Sequence, residues 1–416
     1  RYISDDYLLK QISYIGYRMK NPWLVVLLSA SFLVTIGLGI RQSMGLFLTP
    51  ISLEMGTGRE LFSFAIAIQN ILWGISSPLF GALSDRIGCW KVAALGGGFY
   101  LAGLLMMAGI VTPGGMIFAN ILFGLGLGSA GMAVTLGAVS KVVPDAKRTL
   151  AIGLVTSLGS FGQFALVPIT QLMILGYGWQ VAMISLSMIG GTIIAVSYGL
   201  KSADDSTTAM VAESSLGKTV LHAFRSRDYI LLVAGFFVCG LHLVFITTHL
   251  PVFLQDNGIK ASVASWSLSM IGLFNIAGAI FFGWIGGKMP KKIPLACIYL
   301  ARTIIIFGFI TFPITPTSAI VFGMAMGFIW LGTIPLTSGL VITFFGPRYM
   351  ATLYGVVFLS HQMGSFLGAW LGGKIYDMTG NYDLMWNINL AAGLGAFLIH
   401  LIIREKPIPF LIAKPA

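Results

Sequence analysis

Five side chains able to carry positive charge sit deep inside apolar stretches of this 416-residue chain: Arg41, Arg302, His242, His249 and His361. The 14 Asp and Glu residues all fall between those stretches or at their ends. An arginine at the centre of a bilayer costs roughly 3 kcal/mol on insertion scales and ~10 or more in simulations. With no carboxylate at that depth, the partner expected to offset this cost is an anionic substrate. Arg41 stands halfway along "TIGLGIRQSMGLFLTPI" (Thr35–Ile51), with Gly37 and Gly45 one turn to either side on the same face. Those glycines leave room for a ligand, or equally for a packed helix; backbone carbonyls or water holding the guanidinium are the structural alternative.

Arg302 lies ten residues in from Lys292, among bulky Tyr299, Ile305 and Ile306. It either borders a substrate or supports the site from behind. His242 and His249 are seven apart, hence on one helical stripe, while His361 shares a face with Gly364, Ser365 and Gly368. Each histidine is a candidate substrate contact against the plain alternative of a hydrogen-bonded packing residue. The spacing of Gly364, Gly368 and Gly372 also fits small-residue helix packing. Asn275, Asn70 and Gln163 could line a cavity, and Trp330 could cover an apolar substrate tail. Arginine keeps its proton near neutral pH and histidine does not. Proton coupling therefore falls to His361, His249 or the substrate's own carboxylate, and exchange would need none of them. No metal or cofactor is expected.

The elements that position these residues follow from composition. Hydrophobic residues make up 56% of the chain and charged ones only 9%, with mean hydropathy +0.89. Soluble domains carry about 25% charged residues. Twelve apolar segments recur, near 23–52, 61–83, 91–111, 116–143, 149–173, 179–200, 229–254, 262–287, 293–313, 317–345, 352–373 and 384–403. Each has the ~20 residues a membrane-spanning helix needs, and none shows the two-residue alternation of barrel strands. The expected fold is an all-α membrane protein of twelve helices in two six-helix bundles, 22–200 and 229–404. A polar N-terminal segment (1–21), a linker (201–228) and a tail (405–416) complete the chain, with a short surface helix expected over 220–227.

The net charge of +11 reflects topology rather than nucleic-acid binding. With the N-terminus inside, 20 Lys and Arg face the cytoplasm and only Arg59, Lys260 and Lys374 face outward. That bias places both termini in the cytoplasm and the chain in the cell membrane. Cys89, Cys239 and Cys297 suggest no disulfide framework.

The second half repeats the first at an offset of 202: "GALSDRIG" from Gly81 pairs with "GWIGGKMP" from Gly283, and Gly56 pairs with Gly258. Such parallel repeats place a substrate site near the midplane between halves. "GALSDRIGCWK" resembles the loop signature of the major facilitator superfamily, departing only at Cys89-Trp90. "KRTLAIGLVTSLGSFGQF" (Lys147–Phe164) resembles the fifth-helix signature of the monocarboxylate transporter branch. "IRQSMGLF" resembles that branch's first helix, with Arg41 where a lysine is usual. Oxalate/formate exchangers are near relatives of that branch. The chain departs from the branch at "NPWLVV", which lacks the acidic Gly-Trp motif, and at Asn275 and Ala279, which replace an Asp-Arg pair.

The resemblance implies two bundles that rock about a central site, with Gly81, Asp85, Arg86 and Gly88 forming a cytoplasmic latch. The expectation is a secondary transporter, not an enzyme. It would move a small carboxylate, most simply a monocarboxylate with protons, as a monomer in the bilayer. The rivals are a dicarboxylate exchanger, a multidrug exporter and a non-transporting receptor. "GLGSAG" (Gly126–Gly131) lies inside a span, where it serves helix packing rather than a dinucleotide.

Overall fold

A computed structural model of the chain describes residues 22–110, 112–204, 216–346 and 350–408. The N-terminal segment 1–21, residues 205–215 of the linker and 409–416 of the tail lie outside the described residues. The helices of the first half are α1 (Pro22–Ser43), α2 (Leu48–Glu54), α3 (Arg59–Ile87), α4 (Cys89–Gly109), α5 (Pro113–Ser129), α6 (Met132–Val142), α7 (Asp145–Tyr177) and α8 (Trp179–Ser197). The surface helix α9 (Leu216–Ala223) follows. The second half holds α10 (Arg227–Asp256), α11 (Ala261–Gly286), α12 (Lys292–Thr311), α13 (Pro316–Phe328), α14 (Thr333–Phe345), α15 (Met350–Thr379) and α16 (Asp383–Ile402).

Among the described residues, 11 helical segments are long and apolar enough to cross a bilayer. The 30-residue α15 supplies a twelfth at the expected place, about 45 Å long at ~1.5 Å per residue. Among the described residues four spans are not continuous α-helices; the sixth ends in a 3-10 segment, Tyr198–Ala203. The first carries a tight turn of 3-10 helix at Met44–Phe47, the fourth breaks between α5 and α6, and the tenth breaks between α13 and α14. The surface helix ends at Ala223 rather than running to 227, because the Ser226 hydroxyl accepts the Tyr229 N–H and starts α10.

The 202-residue offset persists in the backbone. Gly56 and Gly258 both adopt positive φ (61° and 78°), as do Gly178 and Gly380 (88° and 75°), each closing a helix. The fourth and tenth spans both open on a Thr cap followed by proline, Thr112-Pro113 and Thr315-Pro316. Burial divides into two hydrophobic cores, one built mainly from residues before 204 and the other from Ala223 onward. The halves meet where α3 lies on α15 and α7 on α11, and where the turn at Met44–Phe47 meets α10. Gly45 permits that last approach, since a Cβ there would run into the Thr247 carbonyl of α10. Gly126 and Gly128 likewise pack against Tyr100 and Ser76.

Candidate anion-binding site

Arg41 is the last basic residue of α1, just before the tight turn. Its Nη2 donates to Asn70 Oδ1 on α3 at 2.9 Å, and its guanidinium carbon stands 4.9 Å over the Trp73 ring. Its Nε has no hydrogen-bond partner in the protein, and the side chain keeps partial exposure. No carboxylate pairs with it among the described residues. A guanidinium offers five donors, and here one is used by an amide oxygen while one ring face carries part of the charge. The site therefore retains unspent capacity for an anion.

Asn70 is fully committed. Its Nδ2 donates to Ile66 O at 2.8 Å, and its backbone carbonyl accepts from Gln362 Nε2 of α15 at 3.0 Å. That bond fixes the Gln362 amide so that Oε1 turns to His361 Nδ1, 2.9 Å away, with Ser365 Oγ also donating at 3.3 Å. Since an amide oxygen only accepts, the hydrogen-bond network assigns the proton to His361 Nδ1. A second route joins the same residues through rings. Trp73 meets Phe358 edge-on at 5.6 Å, and Phe358 stacks on His361 at 5.9 Å and 9°. Gly74 admits this contact, because a Cβ would sit 2.8 Å from Gln362 side-chain atoms. Arg41, Asn70, Trp73, Gln362, Phe358 and His361 thus form one cluster drawn from both halves.

Other candidates are placed elsewhere. Arg302 is buried inside the second half, with Nη2 donating to the Trp330 and Ile329 carbonyls at 2.5 and 3.0 Å and Nη1 reaching Cys239 Sγ at 3.4 Å. It satisfies the carbonyls freed where the tenth span breaks. Asn275 serves the same break: Oδ1 accepts the Leu331 N–H at 3.0 Å, and Nδ2 donates to Ser160 Oγ of α7 at 2.8 Å. Trp330 is buried at the break, and Gln163 packs where α7 meets Gly272 of α11. His242 turns to α16 and bonds the Asn389 carbonyl at 2.9 Å. Of the readings open for Arg302 and His242, their hydrogen bonds to main-chain carbonyls support the structural one, a buried side chain holding backbone groups. Arg302→Met is expected to lower the thermal unfolding midpoint in detergent, while anion affinity at low temperature stays within a few-fold. Hydrogen bonds to a charged group contribute ~1.5–3 kcal/mol each, and the exposed carbonyls would be left unpaired.

His249 belongs to a separate cluster at the opposite end of the helices from the chain's termini. Its Nε2 donates to the Ala369 carbonyl at 2.8 Å, and Nδ1 accepts from Tyr382 Oη at 3.1 Å. Tyr382 Oη in turn accepts from Arg59 Nη1 at 3.0 Å. Arg59, the first residue of α3, makes a two-pronged ion pair with Asp256 of α10, at 2.6 and 2.8 Å, and lies 3.6 Å over the Tyr376 ring. Asp377 accepts the backbone N–H groups of Arg59 and Glu60 at 2.9 and 2.7 Å, capping α3 from the other half. Gly58 makes room for that carboxylate, into which any Cβ would collide. These contacts tie the two halves together at that end. At the end bearing the termini, the ion pairs among the described residues stay within one half: Asp85 with Lys141 at 2.8 Å and Lys291 with Glu405 at 3.5 Å. Gly88 ends α3 at φ 106°, Arg86 is exposed, and Gly81 has only Ala133 near it, at 3.9 Å from a built Cβ.

Residues 27–369 match the model of the Major Facilitator Superfamily. The chain belongs to the major facilitator superfamily. Its members' architecture accounts for the paired six-span repeat, and the chain is a multi-pass membrane transporter of that superfamily. It is 25% identical to monocarboxylate transporter 13 of Bos taurus, over 92% of this chain and 90% of that one. It is 21% identical to the oxalate:formate antiporter of Oxalobacter formigenes, over 86% and 85% respectively. It is also 27% identical to the hexuronate transporter of Bacillus subtilis, over 89% of each.

Proposed function

We propose that this superfamily member carries a small organic anion, a monocarboxylate, by rocking its two halves about the cluster around Arg41. The observation that carries the reading is a largely buried guanidinium with an unpartnered Nε and, among the described residues, no carboxylate paired with it. A carboxylate brings two acceptor oxygens and one negative charge, and charge-assisted bonds to Arg are about twice as strong as neutral ones. Arg41 grips the substrate from the first half, and Gln362 and His361 report its presence to the second. Names of relatives that handle monocarboxylates, oxalate and formate agree with an anionic cargo. The basic loops support a cell-membrane protein with both ends in the cytoplasm, which makes this an inward-facing form sealed outside by Arg59 and Asp256.

His361 is the proton carrier in this reading. It is the one buried histidine joined to Arg41's partners, through Gln362 and Asn70. An imidazole, unlike a guanidinium, is a side chain able to take up and release a proton near neutral pH. Uptake driven by an inward proton gradient is expected to lose its pH dependence in His361→Gln, measured between about pH 5.5 and 8. An unchanged profile assigns the proton to the substrate. Exchange of oxalate-formate type is the second reading, favoured by that relative's name alone. Purified full chain in liposomes, offered acetate, lactate, oxalate and succinate with and without a pH gradient, separates the two. Uptake of none of them, under either gradient, ends the proposal.

A further inference from the structure

Four exposed cations meet at the end of the second half that bears the chain terminus: Arg225 and Arg227, where α9 passes into α10, and Arg404 and Lys406, just past α16. None of them is in an ion pair among the described residues. Asp228 draws the two segments together, since its Oδ1 accepts the Arg404 backbone N–H at 2.9 Å. The segment past α16 is held at three further points. Lys292 Nζ donates to the Leu401 and Ile403 carbonyls at 3.2 and 2.9 Å, and the Ile408 N–H donates to the Phe344 carbonyl at 2.8 Å. Glu405, the acid between Arg404 and Lys406, is engaged elsewhere, by Lys291 Nζ at 3.5 Å and the Lys292 N–H at 3.2 Å.

Apolar surface lies beside this charge. Ala223 is buried and Val220 packs on the second core, so α9 is docked by that face. The neighbouring Leu221 is 65% exposed, and Phe224 and Ile402 are exposed as well. The Phe224 ring meets Tyr229 edge-on at 5.6 Å, which keeps α9 against the start of α10. Water alone gives leucine, phenylalanine and isoleucine nothing at such a place. At the boundary between headgroups and acyl chains, apolar side chains and long cationic ones are satisfied together.

We infer that this face binds an anionic phospholipid. Its phosphate sits among Arg225, Arg227, Arg404 and Lys406. Its upper acyl carbons cover Leu221, Phe224 and Ile402. A free phosphate or an acidic peptide would answer the charge but leave those apolar groups bare, whereas a lipid answers both. The site uses no residue of the cluster around Arg41, so it stands or falls apart from the nature of the cargo. Because α9 ends the linker between the halves, a lipid held there fixes that end of the linker to the membrane plane.

Native mass spectrometry of the purified full chain, in detergent with equimolar phosphatidylglycerol and phosphatidylcholine, tests this. Phosphatidylglycerol is expected to be retained with a preference of at least about 25-fold, at roughly five-fold per cation engaged. The double variant R225Q/R404Q should lower that preference about 25-fold by the same arithmetic. Should it fail to fold, R227Q/K406Q decides in its place. L221S/F224S should weaken retention of phosphatidylglycerol with every cation intact. K91Q/K201Q removes the same charge from exposed positions of the first half and should leave the preference in place. Equal retention of the two lipids by the unaltered chain, or an equal fall in K91Q/K201Q, overturns the site in favour of a diffuse positive field. Displacement of the lipid by glycerol phosphate or polyglutamate at comparable concentration overturns lipid as the occupant.

Discussion

Arg41→Ala is expected to bring carboxylate uptake in liposomes to background, a loss of at least about 100-fold in affinity. Two charge-assisted hydrogen bonds at ~1.5–3 kcal/mol each amount to ~3–6 kcal/mol, and each ~1.4 kcal/mol is ten-fold. The loss is not offset by relief of a strained ion pair, since Asn70 Oδ1 and the Trp73 ring are neutral partners. Arg41→Lys should keep a minor fraction of activity: a point charge remains, but the planar fork and its contact over the Trp73 ring are lost. Asn70→Ala should fall between the two, because it frees the guanidinium without removing it. Radiolabelled uptake, with stability measured on the same preparations, checks all three. Full uptake by the alanine variant would remove Arg41 from the mechanism.

The second large effect concerns the seal at the far end. Arg59→Ala or Asp256→Asn is expected to shift the population toward the state open at that face. The pair is partly solvent-exposed, with side-chain exposures of 14% and 32%, so its worth is well below that of a dry pair. Its two-pronged geometry, the Tyr382 bond and the Tyr376 ring raise it above an isolated surface contact. A contribution of ~1–3 kcal/mol corresponds to a population shift of roughly 5- to 150-fold. The readout is labelling of a cysteine introduced at Ser63, which is buried in α3 beside Gly373 of α15. A membrane-impermeant maleimide added from the far side should react at least about five-fold faster in either variant. Restored slow labelling in the charge-swapped double variant R59D/D256R would show that the pair itself holds the seal. No change in labelling would mean that the α3–α15 packing closes this end without it.

The membrane class and the number of spans were legible because twenty apolar residues in a row leave backbone groups few ways to be satisfied. Arg41 was legible for the same reason: a charge in such a stretch needs a partner. Its neighbours were not. Trp73, Phe358 and Gln362 carry no mark in sequence, since they reach Arg41 and His361 only through the contact of α3 with α15. Which of the two roles Arg302 takes was not legible, because partners that are backbone carbonyls are invisible in a list of side chains. What frees those carbonyls is the break at "IWLG" (Ile329–Gly332), between α13 and α14. The two histidines seven apart were read as one stripe, yet α10 crosses its neighbours. His242 therefore meets α16 while His249 meets α15. The far-face seal was missed because Arg59, Asp256 and Asp377 read as ordinary loop-end charges.

The repeat brings a further consequence. Each half supplies matching turns and matching breaks, but the position 202 beyond Arg41 is Leu243, so the guanidinium has no twin. A cargo gripped by one side of a two-part rocker rides as a passenger on that side, while the other wall sweeps past it. Its electrostatic hold is then the same before and after the swing. Departure depends on water reaching the seat, not on prising charge from charge, which lets one tight grip serve both shores of the membrane.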